Sequence, residues 1–215
     1  MSLIKIEEAA ARQVAAKLLE IGAIKLNRKN PFTWSSGWKS PVYCDNRLTL
    51  SYPEIRTFVK ESLAVTIRKN YPNAECIAGV ATAGIPQGAL VADVLGLPFV
   101  YVRPKAKEHG MGNLIEGKIE QGKKVVLVED LISTGGSSLK AAKAMNEAGF
   151  QVIGMVAIFT YGFEVAAKSF IEANIPLVCL SDFDHLLAVA VAKKYLDEDQ
   201  LSDVKGWRID PGNWR

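Results

Sequence analysis

The stretch VVLVEDLISTGGS, Val125 to Ser137, decides how the rest of the chain is read. It opens with four apolar residues, Val125-Val126-Leu127-Val128, three of them β-branched. An unbroken apolar run of that kind predicts a strand covered on both faces, as in the middle of a parallel sheet, rather than an alternating edge strand. Two adjacent acids, Glu129 and Asp130, end the run. Leu131 and Ile132 lead into Ser133, Thr134, Gly135, Gly136 and Ser137, and a helical pattern follows from Leu139 to Ala148. A Ser/Thr/Gly loop entering a helix offers free backbone N–H groups, hydroxyl donors and the positive end of the helix dipole, which together suit a phosphate. The same residues also serve as ordinary caps at strand-to-helix turns, and spacing alone leaves both readings open. Carboxylates beside a phosphate would repel it. They fit sugar hydroxyls or a cation-like centre.

Composition sets the bounds. At 215 residues, 49% hydrophobic and 23% charged, the chain has room for one domain with a sizeable core, or for one domain with a small appendage. A formal charge of +3 is too small to argue for nucleic acid. The three cysteines, Cys44, Cys76 and Cys179, are odd in number and widely spaced, so neither a disulfide framework nor a zinc site is indicated. The N-terminus carries acids early and has no apolar core run, and Leu186 to Ala192 is far too short to span a membrane. The expected location is a reducing cytoplasm, with no membrane partner.

Working outward, residues Ile6 to Ile21 show helical spacing and Gly22 stops them. Ala23 to Arg47, which includes PFTWSSGWKSPVYCDNR, reads as short β segments joined by turns: a hood over a site, or a plain structural arm. Pro53 opens a helix to about Lys69. Apolar strands are expected at CIAGV (from Cys76), PFVYV (Pro98 to Val102), the central run, QVIGMVAIF (Gln151 to Phe159) and PLVCL (Pro176 to Leu180), with helices between them and a last helix from Asp182 to about Tyr195. The prediction is an α/β fold: a doubly wound, mostly parallel five-stranded sheet flanked by helices, with right-handed crossovers. Residues 1–50 form the N-terminal helix and hood, 51–200 the core, and 201–215 a tail packing on the hood or core.

Ligands in such sheets sit at the carboxyl ends of the strands. Ala81-Thr82-Ala83-Gly84 there is a small-residue turn entering a helix, by itself a weak anion-site signal. In RPKAKEHGMGNLIEG, Arg103 to Gly117, the residues Arg103, Lys105, Lys107 and His109 fall at every second position. If extended, all four point one way. They read either as a solvated basic loop or as a lid hinged by Gly110, Gly112 and Gly117 that closes over a polyanion. His185 reads as a cap or a surface group at the start of the last helix, not as a catalyst.

Taken whole, VVLVEDLISTGGS resembles the signature of type I phosphoribosyltransferases, with Glu129 where Asp is usual and Gly136 where Thr is frequent. RxKxKxHG and PFTWSSGWKSPVYCDNR are similar to the lid and arm of the orotate phosphoribosyltransferases. The resemblance implies transfer of the phosphoribosyl group of phosphoribosyl pyrophosphate (PRPP) to orotate, releasing pyrophosphate. It implies PRPP contacts for Thr82, Ala83, Gly84, Arg103, Lys107, His109 and residues Glu129 through Ser137, with Lys107, Glu129 and Asp130 catalytic and Lys105 auxiliary. Ser133 is implied near orotate, with Ser35 and Lys39 as further candidates, because Ser35 replaces the family's lysine and FTYGF (Phe159 to Phe163) replaces its Asp-Arg pair. Magnesium is implied on PRPP's own oxygens and waters, with no direct protein ligand. A homodimer is implied, in which lid residues complete the neighbouring site. The alternatives are a purine or xanthine phosphoribosyltransferase and a PRPP-binding regulator without catalysis; the intact lid and the lack of a DNA-binding segment disfavour the latter.

Overall fold

The run at 125–128 lies in the middle of a seven-stranded sheet. This computed structural model describes residues 4–34, 37–104 and 114–214. The chain opens with β1 (Ile4–Ile6) and α1 (Glu8–Glu20). The hood follows as β2 (Ile24–Leu26), β3 (Phe32–Thr33), β4 (Lys39–Ser40), β5 (Val42–Cys44) and a 3₁₀ turn, Asn46–Ser51. Then come α2 (Pro53–Asn70), β6 (Cys76–Val80), α3 (Gly84–Leu95), β7 (Phe99–Val102) and β8 (Ile115–Glu116). The second half is β9 (Lys124–Ile132), α4 (Gly136–Glu147), β10 (Gln151–Thr160), α5 (Glu164–Glu172), β11 (Leu177–Asp182), α6 (Phe183–Ala192) and α7 (Glu198–Ile209).

The sheet order is β1-β11-β10-β9-β6-β7-β8, parallel throughout except for the β7–β8 pair. The five expected strands make its centre. Alternation along β9 explains the unbroken apolar run. Val126 and Val128 join the core packed by α1, α2, α3 and α6, while Val125 and Leu127 join the opposite core with Met145 of α4 and Phe170 of α5. Each such buried side chain contributes roughly 1.5–3 kcal/mol, so neither face could carry polar residues cheaply.

The structure extends the expectation in three places. The central strand does not end at the acids but continues to Ile132, because Leu131 and Ile132 pair with Phe159 and Thr160 of β10. Two short edge strands, β1 and β8, widen the sheet to seven. The tail contains α7, whose Trp207 is fully buried.

In the hood, β2 pairs with β5 and β3 with β4, both antiparallel, a hairpin nested in a hairpin. An aromatic cluster fixes it to the core: Trp34 lies 4.9 Å from Tyr161 and 5.5 Å from Trp207, ring centre to ring centre. Trp207 Nε1 also donates to the Lys39 carbonyl at 3.0 Å. Among the described residues no helix is long and apolar enough to cross a membrane.

Candidate active site

At the carboxyl end of the sheet, three chain segments close around a cavity of about 320 Å³. Its walls are the acidic end of β9 with Ser137, the turn after β6, and the hood from Cys44 to Arg47.

The acidic pair sits inside β9. Glu129 is 6% exposed and both of its oxygens are engaged: Oε1 accepts from the Asp130 N–H and Oε2 from Ser138 Oγ, each at 3.0 Å. Asp130 is half-buried and faces the cavity with fewer internal partners. Burial pushes the Glu129 carboxyl well above the usual range, and the adjacent Asp130 charge pushes it further. Asp130 is also raised, chiefly by burial. Two acids this close and this dry repel each other, and a cationic centre relieves that repulsion. The pocket is therefore prepared to receive positive charge.

Beyond Ile132 the chain turns through Ser133, Thr134 and Gly135 into α4. Gly135 needs its φ of +81°, and a Cβ there would also stand 2.9 Å from the Phe170 ring. A Cβ on Gly136 meets nothing within 4 Å, so that residue opens onto space at the helix start. The first-turn N–H groups of α4 and the Ser137 side chain then face an incoming anion. Ile132 itself is fully buried, and its carbonyl accepts from Tyr161 N at 3.1 Å and Thr160 Oγ1 at 3.2 Å. It shapes the loop without reaching the cavity.

Ala81, Thr82 and Ala83 form the facing wall, with a cis peptide between Ala81 and Thr82. Gly84, in contrast, is buried. A Cβ there would lie 2.3 Å from the Val128 carbonyl, so its lack of a side chain is what lets α3 start against β9. That close approach brings the two loops together.

The hood wall was the part least legible beforehand. Asn46 is fully buried, and its Nδ2 donates to the Asp130 carbonyl at 2.7 Å. Cys44 Sγ donates to Asn46 Oδ1 at 3.3 Å, a thiol kept protonated because burial pushes it up. Arg47 and Asp45 form a fork, Nε to Oδ1 at 2.6 Å and Nη2 to Oδ2 at 2.8 Å, at the cavity's edge. Asp45, Asn46 and Arg47 went unmarked in the sequence reading. An acid, an amide and a base in a row, closing the hood segment, were the available signal.

Not every expected residue reaches this cavity. Ser133, Thr134, Gly135 and Gly136 border the α4 entrance rather than its walls. Arg103 Nη1 is 3.6 Å from Glu116 Oε1, and its N–H donates to the Leu114 carbonyl at 2.8 Å. With Val102 opposite Ile115, this closes the stem beneath the basic segment. Lys39 Nζ donates to Thr33 Oγ1 at 2.8 Å on the β3–β4 hairpin, away from the described walls. Ser35, Lys105, Lys107 and His109 lie outside the described residues. Asp182 rather than His185 caps α6: its Oδ1 accepts from the His185 backbone N–H at 2.9 Å, and the His185 ring packs beside it as a partly exposed group. Among the described residues no cluster of three or more His, Cys, Asp or Glu is placed to hold a metal.

A parallel sheet ending in two anion-receiving turns, with an acidic pair between them, is a site for a phosphorylated sugar. A family model described as the phosphoribosyl transferase domain matches residues 54–178. The orotate phosphoribosyltransferase of Cytophaga hutchinsonii is 57% identical over 204 residues, covering 95% of this chain and 98% of the relative. The crystal structure of orotate phosphoribosyltransferase from Aeropyrum pernix superposes with a TM-score of 0.73 at 27% identity, covering 85% of this chain and 99% of that one. The Mycobacterium tuberculosis enzyme in complex with PRPP shares the fold, with a TM-score of 0.64 at 21% identity over 81% of this chain and 98% of that one. The chain belongs to the phosphoribosyltransferase family, within its orotate phosphoribosyltransferases.

Proposed function

We infer that this cavity is where orotate displaces pyrophosphate from C1 of PRPP, giving orotidine 5′-monophosphate. The observation that carries the reading is the placement of Asp130 between two anion-receiving turns and beneath the hood. The 5-phosphate is held at the start of α4, by backbone N–H groups and the hydroxyls of Ser133 to Ser137. Pyrophosphate lies on the turn Thr82–Ala83 and under the lid, where Arg103, Lys107 and His109 neutralise its growing charge. Lys105 assists them. Asp130 binds the ribose hydroxyls and favours the positive charge that develops at C1. Glu129, which also lines the cavity, holds the ribose hydroxyls with it, while its Oε1 accepts from the Asp130 N–H and fixes the pair.

The donor set also bears on magnesium. Two carboxylates with raised proton affinity suit a cation held mainly by the diphosphate and water, and they are too few for a cage made of protein groups alone. Bound that way, magnesium would neutralise the leaving group. The protein's part is to hold the sugar and exclude water. Lid residues complete the neighbouring subunit's site in a homodimer, and the enzyme works in the cytoplasm.

The direct test follows orotate's ultraviolet absorbance after PRPP and magnesium are added, with hypoxanthine and xanthine as control bases. Loss of absorbance with orotate alone is the expected result. Turnover of a purine instead, or PRPP binding without turnover, would reject it.

A further inference from the structure

The cavity is poor in fixed positive charge. Among the described residues lining it, Arg47 is the single cation, set against Asp45, Glu129 and Asp130. A base that carries its own carboxylate, brought in beside those acids, would be repelled unless a cation met it.

The walls divide the space among the substrate's parts. The α4 start and the Thr82–Ala83 turn take the two phosphate groups, and Asp130 takes the sugar between them. The remaining wall is the hood turn from Cys44 to Arg47, so the acceptor base must lie against it. There the Asp45 fork grips Nε and Nη2 of Arg47, and the side chain is 62% exposed. Gripped on one edge, the planar guanidinium keeps its Nη1 edge for a second planar anion. Asp45 stays ionised to do this, its carboxyl lowered mainly by the hydrogen bond from Arg47. Of the other hood cations described, Lys39 is turned to Thr33 and Arg28 to Asp203, and neither Lys25 nor Lys29 lines the cavity.

We propose that Arg47, oriented by Asp45, binds the carboxylate of the acceptor base and so selects a carboxylated pyrimidine over a neutral one. The proposal rests on the orotate reading of this site. It also supplies the counter-charge for which the sequence offered only Ser35 and Lys39 as candidates.

The test is steady-state kinetics on the full-length protein with Arg47→Gln and Arg47→Lys. Arg47→Gln is expected to raise the KM for orotate by about 10- to 100-fold, because a group built to pair with a carboxylate is lost. The KM for PRPP is expected to hold within about twofold, and Arg47→Lys to fall between. Inhibition by the neutral 6-carboxamide of orotate is expected to be the same in wild type and Arg47→Gln. The ratio of amide to orotate affinity does not depend on how much of a variant folds. An unaltered ratio in Arg47→Gln would overturn the proposal, and so would a rise confined to the KM for PRPP. Wild-type protein that fails to consume orotate at all would instead overturn the functional reading beneath it.

Discussion

The side-chain amide of Asn46 donates to the backbone carbonyl of Asp130 at 2.7 Å, joining the hood to the acidic strand across 84 residues of sequence. Asn46 has no solvent exposure, and its Oδ1 also accepts from the Cys44 thiol. One amide thus holds the acidic strand and the hood wall at a set separation. Asn46→Ala would leave a buried carbonyl unpaired, at a cost of about 1–3 kcal/mol. Turnover is expected to fall by at least about tenfold, since small displacements of positioned groups are felt strongly in rate. Denaturant melts and kcat measured on the same preparation check both; unchanged kcat in a destabilised variant would reject the positioning role.

Two glycines near the phosphate loops should respond in opposite ways. Gly84→Ala places a Cβ 2.3 Å from the Val128 carbonyl, a backbone atom with no rotamer to escape by. It is expected to cost about 1–3 kcal/mol or more and to spread the two loops apart. Gly136→Ala meets nothing within 4 Å. Its stability is expected to stay within about 1 kcal/mol of wild type or to rise, since alanine is the better helix former. Urea midpoints for the pair decide it.

The acidic pair should leave a mark on stability against pH. Burial raises the proton affinity of Glu129 first, with the neighbouring Asp130 charge adding to it. The folded chain therefore keeps a proton that the unfolded chain releases at lower pH. Stability is then lost as pH rises from the ordinary glutamate range through the folded-state value. Glu129→Gln removes this loss, so its stability relative to wild type is expected to improve as pH rises above the ordinary glutamate range. A difference that stays flat across that rise would mean that Glu129 titrates as it does in water.

Trp207 ties the tail to the hood, with no exposure and with Trp34, Tyr161, Phe163 and Phe183 within 5.4–5.6 Å between ring centres. Trp207→Ala is expected to cost about 3–5 kcal/mol. Trp207→Phe retains most of the packing and loses chiefly the bond to the Lys39 carbonyl, about 1 kcal/mol. Orotate KM is the second readout. A destabilised Trp207→Ala with unaltered orotate KM would mean that the hood holds its place without the tail.

Sharing of sites between subunits can be tested by mixing. Lys107→Ala is expected to lower the rate by orders of magnitude with PRPP binding largely kept, as for a group used mainly in the transition state. Asp130→Asn is expected to be inactive as well. Subunit exchange between the two should restore activity, because one composite site in each heterodimer is whole. No recovery would place the lid in its own subunit's site.

Much of this was legible in the residues, and the part that was not has a common cause. Val125 to Val128 reads as a doubly covered strand because burial on two faces writes itself into consecutive positions. The small-residue turns at Ala81 and Ser133 were visible for the same local reason. The continuation of β9 through Glu129 and Asp130 was not, because pairing with β10 carries polar residues that no periodicity would assign to a strand. The edge strands Ile4–Ile6 and Ile115–Glu116 are too short to show a period, and only their neighbours make them strands.

The sequence by itself determined the order of the five central strands and the helices between them, the two small-residue turns, and the acids of the central strand, all set by composition within a few residues. Tertiary structure alone decided how the two acids are held at the cavity, that Gly84 is small to admit a strand rather than a ligand, and that Cys44, Asp45 and Arg47 form the third wall with Asn46 fixed behind it. Those facts depend on contacts across long spans of chain, as from Asn46 to Asp130, where geometry and not neighbouring residue type selects the partner.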